Sequence, residues 1–157
     1  WRFIVLRSAE LRERLAEEMG QAWRQDLQRD GVPAAKVSQL LKKSRDQITS
    51  APGLVLCGIV GERLRQWPDQ RRHTAEWQMA SQSMGAALQN IMLVAHDSGI
   101  ATFWISAPLF APEAVRDALD LPAEFVAQAL IAFGYPASDY TARPRPAAEI
   151  EQFVRTL

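Results

Sequence analysis

One run limits the possible folds more than any other. From Met79 to Ala95 the chain is rich in Ala, Leu, Met, Ile and Val and holds no proline. Ala80, Met84, Ala87, Ile91 and Val94/Ala95 recur at three- and four-residue steps, the period of a helix. Leu88, Met92 and Leu93 fall on its other faces, and a helix apolar nearly all round has to be covered on most sides. His73 opens the helix, and Asp97-Ser98-Gly99 stops it, with Gly99 suited to the left-handed position after a C-cap. Ala101 to Ile105 is β-branched and aromatic and predicts a strand, closed by Ser106-Ala107-Pro108. A sheet of the same chain can cover one side of the helix. Ser81, Ser83, Gly85, Ala86 and Ala87 are small enough for a second backbone to approach the other, so a homodimer built around this helix is expected. An ordinary central helix of a monomer is the alternative, and the pattern alone leaves both open.

The rest of the chain supplies layers for that helix. Arg2 to Leu6 predicts a short strand, and Ser8 stands as the N-cap of a helix with Leu11, Leu15, Met19, Trp23 and Leu27 along one stripe. Gly31 ends it, and Pro33 begins a second helix with Val37, Leu40, Leu41 and Ile48 inward. Leu54 to Val60 is continuously apolar, a strand buried on both faces, with Cys57 inside it as a structural thiol. Gly61 to Arg72 reads as a polar loop with a mobile tip. A short helix from Pro112 and a buried strand from Phe125 to Phe133 follow the Phe103 strand. Two successive helices between strands predict an α+β or mixed α/β layered domain, a mixed sheet flanked by helices, and not a regular doubly wound sheet.

Several functions are excluded or disfavoured. Lys plus Arg and Asp plus Glu both number 18, so zero net charge argues against a nucleic-acid-binding protein. A single cysteine allows no disulfide framework and suits a reducing cytoplasm. No apolar run reads as a membrane span. G-x-G-x-x-G, the Walker A loop and the G-x-S-x-G elbow are all missing. His73 and His96 stand at opposite ends of one helix, too far apart to share a metal. No catalytic acid, base or nucleophile emerges, which suits a small-molecule site where a redox cofactor carries the chemistry. Arg143 and Arg145, held in an extended Arg-Pro-Arg-Pro tail, have the forked geometry that binds phosphate, although tail arginines are more often solvated.

Taken in order, the motifs resemble a known family. Trp1-Arg2-Phe3 is similar to the end of the Q-P-W-R-F segment of FMN-dependent nitroreductases. The Ala-rich helix followed by Gly99-Ile100-Ala101-Thr102-Phe103-Trp104-Ile105-Ser106 resembles that family's dimer helix and flavin-side strand. Leu119-Asp120-Leu121-Pro122, Ile131 to Pro136 and Arg143-Pro144-Arg145 resemble its ending, so the likeness spans essentially the whole chain. Within the family, Met19 to Leu27, Met79 to Gln89 and Trp104 to Asp120 are most similar to the nitroreductase-like, dehydro-F-420 reductase domain of coenzyme F-420 biosynthesis proteins.

The resemblance implies a nitroreductase-like layered sandwich, a homodimer with FMN at the interface, and NAD(P)H or reduced coenzyme F-420 as the reduced donor. It implies that the flavin packs near Trp104, Ile105 and Ser106, that Arg143 or Arg145 binds its phosphate, and that Asp26 and Met79 contact a deazaflavin substrate. No residue is implied as a catalytic acid or base, and no metal ligand. The alternatives are a broad NAD(P)H-dependent nitroaromatic or quinone reductase and a non-catalytic dimeric flavin-binding module. The family usually opens with an R-R-S-x-R segment that grips FMN, and this sequence starts at Trp1. Residues 1–157 are therefore expected to be one nitroreductase-like FMN-binding domain without its N-terminal segment.

Overall fold

The computed structural model describes residues 1–141, 144, 146, 147, 149, 151 and 153–156. Ser8 accepts a hydrogen bond from the Leu11 N–H and opens helix α1 (Ala9–Arg29), after strand β1 (Arg2–Val5). Gly31, at φ 73°, turns the chain into helix α2 (Ala34–Thr49), with Pro33 at the N-cap rather than inside the first turn. Strand β2 (Gly53–Val60) follows, then helix α3 (Gln70–Asp97), strand β3 (Ala101–Ile105), helix α4 (Pro112–Leu119) and strand β4 (Phe125–Gly134). Helix α3 begins before His73 because Asp69 caps it, accepting from the Arg72 N–H at 3.0 Å.

The four strands form one sheet in the order β1-β2-β4-β3. The expected mixed sheet is corrected: every pair among the described residues is antiparallel. The connection between β1 and β2 gives the reason. A single crossover helix returns a parallel strand, whereas the α1–α2 hairpin brings the chain back to the end it left, so β2 must run against β1. Strand β4 then inserts between β2 and β3 and separates them. The result is the expected α+β layered sandwich.

Two apolar clusters lie on opposite faces of the sheet. On one face Leu54, Leu56, Phe125, Ala127, Leu130 and Ile105 pack with Leu15 and Met19 of α1, Ile48 of α2 and Val115 of α4. On the other, Cys57, Ile59, Ala129 and Ile131 pack with Met84 and Leu88 of α3. Strand β4 changes face along its length. Gly58 pairs with Ala127 and Cys57 with Ala129, leaving Gln128 as an extra residue in a β-bulge. Ala127 therefore faces α1 while Ala129 faces α3, and beyond the bulge Leu130 returns to the α1 side beside Ile105.

Side chains also fasten the layers. The Arg12 guanidinium donates to the Leu6 carbonyl at 2.7 Å and to the Ala51 carbonyl, joining α1 to both neighbouring strand ends. Arg14 donates to the Ala118 carbonyl and to Asp120 Oδ2 at 2.7 Å, joining α1 to the end of α4. The loop before α3 is tied to that helix through Trp67. Trp67 Nε1 donates to Glu76 at 3.1 Å, and the guanidinium carbons of Arg65 and Arg72 lie 3.9 and 4.5 Å from its ring centre.

Candidate active site

Helices α1 and α2 each turn one stripe toward a shared cleft. Met19, Trp23, Asp26 and Asp30 recur at steps of four, three and four along the end of α1. Leu40, Lys43, Ser44 and Gln47 make the matching stripe on α2. Between them Ile105 ends strand β3, and the 3-10 turn Ala107–Phe110 closes the cleft together with Ala111. The resulting cavity has a volume of about 690 Å³, within the range of small-molecule and cofactor sites.

Its chemistry is divided. Met19, Ile105, Ala107 and Ala111 give an apolar floor, and Trp23 and Phe110 add two aromatic rings. Phe110 is 80% exposed, an unusual state for a phenylalanine. The rim is polar. Asp26 carries an ion pair with Arg29 at 3.2 Å, while no ion pair forms at Asp30 or Lys43 among the described residues. No group of three or more His, Cys, Asp or Glu side chains that could hold a metal is present among the described residues. Cys57 lies away from the cavity in the α3-side cluster, and burial pushes its thiol up to about 12, so it is a packing residue and not a nucleophile.

The structure brings some of the sequence-selected residues together and separates others. Asp26 and Ile105 line the same cavity. Ser106 adjoins it, exposed at the N-cap of the turn, with its carbonyl accepting from the Leu109 N–H at 3.0 Å. Trp104 points the other way, as neighbours on a strand must, and packs in the α3-side cluster. Its buried indole Nε1 has no hydrogen-bond partner among the described residues. Met79 is exposed on α3, in the layer across the sheet from the cavity. Arg143 and Arg145 lie outside the described residues. Trp23, Gln47 and Phe110 were not singled out as site residues by the sequence reading. The α1 stripe was legible, but its last turns read as core, because nothing local shows that α2 and the turn after β3 leave a cavity beside them.

Known proteins match this arrangement. A sequence model described as the Nitroreductase family matches residues 1–135. A protein from Desulfovibrio desulfuricans assigned as a nitroreductase, and solved in complex with FMN, superposes with a TM-score of 0.63 at 23% identity, covering 95% of this chain and 69% of its own. An FMN-dependent nitroreductase from Clostridium difficile R20291 gives a TM-score of 0.63 at 16% identity, over 99% of this chain and 74% of its own. A BluB-like flavoprotein from Clostridium difficile 630 gives 0.66 at 19% identity, over 100% and 79%. At these identities the structural likeness shows the fold.

Proposed function

Because the chain belongs to the nitroreductase family, which makes it an oxidoreductase of the flavin-dependent kind, we propose that the cavity between α1, α2 and the end of β3 is where FMN and a small-molecule acceptor meet. One observation carries the reading: Asp26 and Ile105, which the family resemblance implies as substrate and flavin contacts and which are far apart in sequence, line one cavity of suitable size. The apolar floor and the two aromatic rings suit a flat conjugated ring. The absence of an activated nucleophile from the cavity lining suits a site where the cofactor carries the electrons. Bound FMN would supply hydride transfer between a reduced donor and the acceptor.

The chain's own residues bind and orient. Trp23 and Phe110 offer ring faces, Ile105 and Met19 exclude water from one wall, and the Asp26–Arg29 pair and Gln47 offer polar contacts at the edge. In this proposal Arg143 or Arg145 holds the phosphate. The narrower form of the reading makes the acceptor a dehydro precursor of coenzyme F-420, with NAD(P)H or reduced coenzyme F-420 as donor. The similarity of Met19–Leu27 and Trp104–Asp120 to that subgroup supports it, and both segments contribute to the cavity.

The functional unit in this reading is a homodimer that joins two copies through α3. Only Met84, Leu88 and Ala95 of that helix are buried by its own chain, while Met79, Leu93 and Val94 are more than half exposed. A β-carbon built on Gly85 would meet nothing within 4 Å, so its own chain gives no packing reason for a glycine there. Glycine costs about 1 kcal/mol relative to alanine inside a helix, a cost that close approach of a second helix would justify.

The test is an anaerobic absorption spectrum of the protein loaded with FMN and then given NAD(P)H or reduced coenzyme F-420. The expected result is a flavin band that bleaches with one donor and returns when a quinone, a nitroaromatic or a dehydro-deazaflavin is added. Failure to take up FMN would sink the enzyme reading and leave a binding module.

A further inference from the structure

The cavity carries its two kinds of charge on opposite walls. Asp26 and Asp30 stand on α1, and Lys43 stands on α2. The cation is the informative one. Helix α2 has three lysines, and two of them are engaged: Lys36 donates to Gln39 at 3.2 Å, and Lys42 pairs with Asp46 at 2.6 Å. Lys42 also lines a separate, shallower groove beside Gly20 and Arg24. Lys43 lines the large cavity and has neither an ion pair nor a side-chain hydrogen bond among the described residues. Asp26, across the cleft, is already matched by Arg29. Asp30 sits at the end of α1, where it disfavours an anion at that end of the opening.

On the reading of this cavity as the acceptor site, we propose that Lys43 is a specificity residue that selects flat acceptors bearing an anionic substituent and sets which end faces α2. Aromatic faces and an apolar floor hold the ring, and Lys43, the cation of the α2 wall left unmatched among the described residues, meets the substituent. Ser44 and Gln47, on the same stripe, add neutral donors beside it.

The experiment compares a neutral naphthoquinone with its sulfonate on the flavin-loaded protein. The dissociation constants are read by isothermal titration to the oxidised protein. The reoxidation rates are read after dithionite has reduced the flavin, which removes any effect of an anionic nicotinamide donor. In that step two electrons and two protons pass from reduced flavin to quinone, giving oxidised flavin and hydroquinone. In Lys43→Gln the ratio of dissociation constants, sulfonate over neutral, is expected to rise about fivefold, the size of one half-open ion pair. Lys43→Glu raises it further, Lys43→Arg restores it, and Lys42→Gln leaves it unchanged. An unchanged ratio in Lys43→Gln, or an equal change in Lys42→Gln, overturns the proposal. Reoxidation by neither quinone would count against the oxidoreductase reading instead, and the titration would still decide the role of Lys43.

Discussion

Gly58→Ala tests the packing that positions the cavity floor. An ideal β-carbon at Gly58 would lie 2.2 Å from Phe125 Cζ, 2.6 Å from Cε2 and 2.8 Å from Cε1. Carbon pairs settle at about 3.5–4.0 Å, so the ring would have to retreat by more than about 1 Å. It has little room to do so, because Phe125 is only 1% exposed and sits within the α1-side cluster. Overpacking of this kind costs about 1–3 kcal/mol, and the stiffer unfolded chain of an alanine variant offsets about 0.4–1 kcal/mol. With three ring carbons obstructed, a net loss of about 2 kcal/mol is expected. For a chain of this size that corresponds to a fall in Tm of about 4–8 °C. The assay is urea or thermal unfolding at fixed protein concentration, together with the Phe125→Leu variant and the double variant. If the ring is the obstacle, adding the methyl in the Phe125→Leu background costs less than about 0.5 kcal/mol, so the two sites couple strongly. A Gly58→Ala protein as stable as the parent, or a cost that persists without the ring, would refute the reasoning. The consequence reaches the site, since Gly58 pairs with Ala127 beside the bulge that returns Leu130 to the face it shares with Ile105.

Other expectations follow from single residues. Gly85→Leu leaves the fold of one chain intact and shifts sedimentation from dimer toward monomer; an undisturbed dimer would place the interface elsewhere. Trp104→Phe in flavin-free protein changes stability by less than about 1 kcal/mol, because losing indole contacts is offset by removing a buried donor with no acceptor among the described residues, and a loss above about 2 kcal/mol would show that Nε1 is satisfied. Cys57 is neutral in both folded and unfolded chains below its ordinary value of 9.0, and between there and about 12 only the unfolded chain ionises. Stability should therefore fall as pH rises through that window, and Cys57→Ala should flatten this slope in alkaline denaturation curves.

The helices and strands were legible in the sequence because their signals are local. Ser8 caps α1, glycines at positions 31 and 99 take positive φ where the helices end, and Phe125 onward is a buried strand, each from residues within a turn or two of one another. The α3 pattern announced a helix needing cover on several sides, and among the described residues the chain buries Met84, Leu88 and Ala95 of it. Less of the candidate site was legible: the family resemblance, not a local signal, pointed to Asp26 and Ile105, and these two line the same cavity. Tertiary structure decided the rest. Antiparallel pairing of β1 and β2 follows from the α1–α2 hairpin. The face that each residue of β4 presents depends on one extra residue at Gln128, and pairing with β4 sends Trp104 to α3 and Ile105 to the cavity. Phe110 became a site residue only when α2 and the turn after β3 closed on the α1 stripe. Spacing along a chain fixes which side chains share an element's face, but what that face meets is set by contacts between segments distant in sequence.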